Sequence, residues 1–155
     1  VRQEVIISGT PVPGTLMELV PSSNPVAGRF TYRTRGTTFS LDGGKGPICV
    51  LLEDNKQGKT VADAYVSGTR GVVYWPAAGE ELNVRIRDQP GTGSANMTNI
   101  GDRLEVDGAT GMLQAVGTVG ATGSHDSAPF QLLEHRGVDP TSNELVHVLF
   151  LGPQA

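Results

Sequence analysis

The sequence predicts an all-β fold, a compact barrel or sandwich of short strands and hairpins with little helix. Three observations carry that prediction. Leu82, Val84 and Ile86 alternate with Asn83, Arg85 and Arg87, and Leu104 and Val106 alternate with Arg103, Glu105 and Asp107. A period of two puts the aliphatic side chains on one face of a sheet and the polar ones on the other. The chain also holds 21 glycines and 10 prolines in 155 residues, spread without a short repeat, as many turns between short strands require. Finally, no apolar spacing of three and four residues persists beyond two helical turns.

In chain order, residues 1–40 read as an extended N-terminal arm and residues 41–155 as a single β-rich body. In the arm, Val5, Ile6 and Ile7 form a strand that ends at Pro11-Val12-Pro13-Gly14. Two fixed φ angles and two missing amide donors keep that run out of any central strand. Residues 16–20 fit either a helical turn or a strand. Pro21 and Pro25 break the chain again, and Phe30 to Arg35 make a strand with Phe30 and Tyr32 on one face. So punctuated a segment has little apolar surface to hold it down, and such arms are commonly ordered against another subunit.

The body opens on Asp42-Gly-Gly-Lys-Gly46, which lacks the Gly-x4-Gly-Lys-Ser/Thr spacing of a phosphate loop and reads as a turn. The apolar run 48–52 follows as a buried strand and contains Cys49, the single cysteine. One cysteine makes no internal disulfide, and aliphatic neighbours mark it as an inert core thiol. Residues 72–119 are the centre of the organisation. They read as a meander in which Val73 and Tyr74 precede a turn at Pro76 and Gly79, and the strand at 82–86 comes next. A hairpin then closes through Gly108 and Gly111, with Met112 to Val116 returning. Two strands end the chain, from Pro129 to Arg136 and from Glu144 to Leu151. The last is apolar nearly throughout, so it is expected to be buried on both faces or lodged in an interface.

Composition excludes several functions. Charged residues are 18% of the chain and the net charge is −4, against the basic surface of a nucleic-acid binder. The charge is uneven: residues 1–40 carry four Arg and two Glu, whereas the remainder is acidic. No apolar run approaches the ~20 residues of a membrane span, and the first residues lack the apolar core of a secretory signal. Synthesis in the cytoplasm is therefore expected.

Reactive chemistry is equally hard to assemble. His125, His135 and His147 have no metal-ligand spacing, and Ser124-His125-Asp126-Ser127 sits at a loop tip where neighbouring side chains diverge. A nucleophile elbow is missing, since Thr122 and Asp126 flank Ser124 where glycines would stand. Asp102, Glu105 and Asp107 crowd one hairpin, but Asp102 and Glu105 fall on opposite faces of a regular strand. A lipoyl-type hairpin needs a lysine at its tip, and Asp107-Gly-Ala-Thr-Gly111 has none. The residues point to no enzyme, no cofactor and no metal.

The succession Tyr74-x-Pro76, Gly79-Glu-Glu-Leu-Asn-Val84, Ile100-Gly-Asp-Arg-Leu104 and Asp107-Gly followed by Gly111-Met-Leu113 resembles the capsid decoration (cement) proteins of tailed bacteriophages. The resemblance covers residues 72–119, about a third of the chain. It implies a structural virion protein on the outer face of the head, bridging major capsid protein subunits and resisting the pressure of packed DNA. Symmetric shells favour cyclic oligomers, so self-association is expected, as a trimer ahead of a dimer. On that reading neither nucleic acid nor membrane is a partner. The arm and the last strand would make the contacts, through Val5, Ile7, Pro11, Pro13, Leu16, Phe30, Tyr32, Arg33, Arg35, Leu149 and Leu151. Two other classes stand beside it. A carbohydrate- or receptor-binding module of a tail or spike would display Tyr74 and Trp75 as a platform, and a small β-barrel enzyme would use the loop at 124–127.

Overall fold

Strand β1 (Arg2–Ser8) shows how the alternation works in three dimensions: Val5 and Ile7 are fully buried while their neighbours face outward. The computed structural model describes residues 1–20, 24–35, 48–58, 60–86, 100–107, 110–115, 129–134 and 144–152. Within them lie ten strands and one short 3-10 turn (Asn55–Gln57). The fold is all-β.

Five strands close a barrel in the order β1, β3 (Thr31–Thr34), β2 (Leu16–Leu19), β4 (Cys49–Leu51) and β5 (Arg70–Tyr74), with β5 returning to β1. β1 and β3 run parallel, with Ile7 opposite Tyr32; the other pairings round the barrel are antiparallel. Val5, Ile7, Met17, Tyr32, Cys49, Leu51, Tyr65 and Val73 fill it, and Trp75 packs against them. Tyr65 reaches in from the loop before β5 and donates its hydroxyl to the Leu52 carbonyl at 2.9 Å. Gly71 makes room for it. A Cβ there would stand 2.7 Å from the Ile7 side chain and 3.3 Å from the Tyr65 ring.

The second sheet has the order β6 (Glu81–Arg85), β10 (Leu145–Phe150), β9 (Phe130–Leu132), β7 (Arg103–Val106), β8 (Leu113–Ala115). It curls until Leu113 of β8 meets Ile86, just past β6, in a single parallel bridge. Its concave face carries Val84, Leu104, Leu113, Phe130, Leu132, Val146, Val148 and Phe150, joined by Ile86. Phe130 and Phe150 are direct cross-strand partners with ring centroids 5.2 Å apart.

The two sheets share that second core. Leu16 and Val50, on the outer wall of the barrel, and Ile48 beside them pack into it. β2 and β4 are therefore apolar on both faces: Leu16 and Met17, and Cys49, Val50 and Leu51, are all buried. A continuous apolar run is what a strand buried on both sides requires. Fully burying one such aliphatic side chain contributes about 1.5–3 kcal/mol.

Three sequence expectations are corrected here. Residues 1–40 do not stand apart as an arm: their described part supplies three of the five barrel strands. The chain from β5 to β8 is not a meander. β5 pairs with β1 and β4, β6 pairs with β10, and only β7 and β8 form a hairpin. Alternation fixes which face a strand buries but not which strand lies beside it. Lastly, β10 alternates, with Val146, Val148 and Phe150 inward and Leu145, His147 and Leu149 partly exposed. The apolar outward residues made a half-buried strand look like a wholly buried one.

Candidate functional site

The chain crosses between the two sheets at Pro13 and Gly14, and the residues there explain a groove beside the crossing. The Gly14 amide donates to the Leu51 carbonyl at 2.8 Å, and the Gly14 carbonyl accepts from the Arg85 amide at 3.0 Å. One residue thus ties β4 to β6. Gly14 has φ +88°, and a Cβ on it would overlap the Leu145 side chain and sit 3.2 Å from Arg85 Cγ. Only glycine passes through this gap. Arg85 secures the crossing, donating from Nε to the Pro13 carbonyl at 2.7 Å and from a terminal nitrogen to the Val61 carbonyl. Burial of its guanidinium lowers its pKa.

Beyond Gly14 the barrel and the second sheet diverge, leaving a groove of about 460 Å³. Leu52, Val61 and Tyr74 wall it on the barrel side; Glu81, Asn83 and His147 wall it on the sheet side. Arg2 and Glu53 bring charge to it, and His147 Nε2 lies 3.0 Å from Glu81 Oε2. Tyr74 is committed to structure. Its hydroxyl lies 2.8 Å from both oxygens of Glu80, whose carboxylate also accepts the Ala77 amide at 2.8 Å. The Ala77 amide and then the Tyr74 hydroxyl hold the Glu80 pKa down; the same bond to Glu80 is the main cause raising that of Tyr74. This lock fixes the turn into β6. Among the described residues the groove is lined by apolar walls, backbone carbonyls and amides, and the His147–Glu81 pair.

The contact residues expected from sequence are scattered by the fold. Val5, Ile7 and Tyr32 are barrel core, and Leu16 belongs to the shared core. Pro11 and Pro13 are buried, Pro13 at the groove. Arg35 is 4% exposed, and burial is the main cause lowering its pKa. Arg33 pairs with its cross-strand neighbour Glu18 at 2.9 Å. These seven side chains and Arg33 therefore hold the barrel together. Leu149 and Leu151 are partly exposed, and Phe30, at 44% exposure, is the most open of the set.

Other candidates resolve locally. Asp107 is buried and caps its own hairpin, accepting from the Thr110 amide at 3.1 Å, while Glu105 accepts from Gln114 at 3.0 Å. No cluster of three or more metal-ligating side chains occurs among the described residues. Trp75 stacks edge-on against Tyr32 at 6.0 Å and donates to Gln3 at 3.1 Å, so its ring is part of the barrel's cap. The loops at 42–46 and 124–127 and His135 lie outside the described residues. Sequence reasoning missed the groove itself. Its signal was the Pro-x-Pro-Gly run, whose glycine marks the crossing.

The chain matches no protein-family model and no curated protein.

Proposed function

We propose that this protein is a structural virion component: a decoration protein that binds the outer surface of a tailed-phage head and bridges major capsid protein subunits. It is made in the host bacterial cytoplasm and ends on the capsid exterior, where it holds the shell against the pressure of packed DNA. Two things support the reading. One is the resemblance of residues 72–119 to that family. The other, which carries most weight, is where the exposed apolar side chains lie.

Three of the seven large exposed hydrophobic residues among the described ones, Leu19, Val26 and Phe30, belong to the end of β2 and its connection to β3. Clustered apolar exposure of this kind marks an interaction surface more often than a solvent face. The barrel beneath is held by its own core and by the pairing of Arg29 and Arg70 with Glu4. A self-supporting barrel with apolar side chains exposed along one connection suits repeated, weak docking, and many copies on one lattice act multivalently. Self-association as a trimer follows the same symmetry argument.

The test replaces Leu19 and Phe30 together with Glu. Both are surface residues, so the far-ultraviolet spectrum should not change, while retention on expanded tailed-phage shells should be lost. Undiminished coating of shells by the folded double variant would remove this surface from the proposal.

A further inference from the structure

The free edge of β6 is the feature of the groove that the shell reading does not use. In an antiparallel pair, alternate residues point both backbone groups at the partner strand and the rest point both away. The Ile86 amide donates to the Glu144 carbonyl and the Phe150 amide to the Glu80 carbonyl. Even-numbered residues therefore face β10, and Glu81, Asn83 and Arg85 face the opposite way, in agreement with the register. At Arg85 the outward amide is taken by the Gly14 carbonyl. At Asn83 and Glu81 the outward amide and carbonyl have no partner among the described residues, and both residues line the groove.

We propose that this edge is a strand-addition site, which takes one extended peptide segment of a partner protein carrying basic side chains. Three observations lead to that occupant. The chain itself begins the addition: Pro13–Gly14 docks on the edge at Arg85, and Gly14 then turns away at φ +88°. A ladder is started and left unfinished. The edge is recessed, with Leu52, Val61 and Tyr74 opposite it, so a slender strand fits where the edge of another folded sheet does not. Short of the position that Gly14 occupies at Arg85, residues 81–83 present about 7 Å of strand, enough to pair two or three residues of extended chain.

Charge selects the sequence. Glu53 and Glu81 line the groove; Glu53 has no cationic partner among the described residues, and Glu81 has only His147. Among the described lining residues Arg2 is the one fixed positive charge against Glu53 and Glu81, so a basic strand is complementary. Main-chain bonds supply the affinity in this mode of recognition and side chains its selectivity. The inference is independent of the shell proposal.

Fluorescence polarisation with a labelled peptide of about nine residues, alternating valine and threonine with two arginines, tests it. The unmodified protein should bind this peptide saturably. Methylating alternate peptide amides should weaken binding at least tenfold, because the methylated strand cannot complete the ladder. Asn83→Pro should do the same, since it deletes an outward amide while leaving the bonds to β10 intact. Glu53→Gln with Glu81→Gln should bind several-fold more weakly. Absence of saturable binding, equal binding of the methylated peptide, or full binding by a folded Asn83→Pro protein would each overturn the proposal. The methylated peptide keeps the test decisive even if Asn83→Pro fails to fold.

Discussion

Replacing Gly111 with Ala strikes the contact that joins the two sheets. Gly111 has φ +67°, and its carbonyl accepts from the Leu16 amide at 2.9 Å, linking the β7–β8 hairpin to barrel strand β2. An added Cβ would lie 2.8 Å from the Leu16 carbonyl oxygen, 3.2 Å from the Thr15 methyl and in overlap with the Thr34 methyl. Two costs combine. Holding a non-glycine residue in the left-handed region costs about 1–2 kcal/mol. Overpacking against backbone that must shift costs about 1–3 kcal/mol more. The expected loss is thus about 2–5 kcal/mol. Gly58 supplies the control: its φ is +68°, and a Cβ there would meet nothing within 4 Å. Gly58→Ala should cost only the conformational part. Urea unfolding of both variants, followed by circular dichroism, separates the terms. If the two lose stability to within about 0.5 kcal/mol of each other, the close approach at Gly111 is misjudged and the sheets are not joined there.

Leu104→Ala, in the core shared by both sheets, should cost about 2–5 kcal/mol in the same assay, whereas a loss near zero would place Leu104 outside the core. Cys49 makes a prediction about pH. Burial raises its thiol from an ordinary value of 9.0 to about 12, so the folded state keeps a proton that the unfolded chain releases. The stabilisation is complete below pH ~9 and is lost as pH rises towards 12, at about 1.4 kcal/mol per unit. Cys49→Ala should flatten the decline between pH ~9 and ~10, before Tyr65, also raised to about 12 by burial, begins to contribute; an unchanged slope would refute the assignment. Ala27 and Gly28 both have positive φ in the two-residue turn between Val26 and Arg29. Ala27→Asn should therefore stabilise the protein by about 0.5–1 kcal/mol in thermal unfolding, and a loss would contradict the turn geometry.

The strands were legible in the sequence because alternation is a local signal. Val84 and Ile86, and Leu104 in the next alternating run, bury the faces that their spacing predicts. Their neighbours were not legible, because pairing is decided by which apolar faces can be covered together. β2 and β4 are apolar on both faces, so they had to lie between two cores, and that requirement draws the described part of residues 1–40 into the barrel. The prolines that suggested a detached arm mark instead the crossing at Pro13–Gly14 and the groove beside it. Arg33 and Arg35 looked like free basic contacts because Glu18, with which they interact, stands fifteen or more positions earlier. The divergence of the two sheets that opens the groove is a matter of tertiary packing, and the Pro-x-Pro-Gly crossing at its head is the part of it written in the sequence.

On the proposed function, this double β-body docks on the shell of a tailed-phage head. Sedimentation of the labelled protein with tailed-phage shells, prepared both expanded and unexpanded, tests it most directly. The protein should pellet saturably with expanded shells at a fixed ratio to the major capsid protein, and not with unexpanded ones. Protein that stays in the supernatant with both shells, or pellets equally with both, would contradict it.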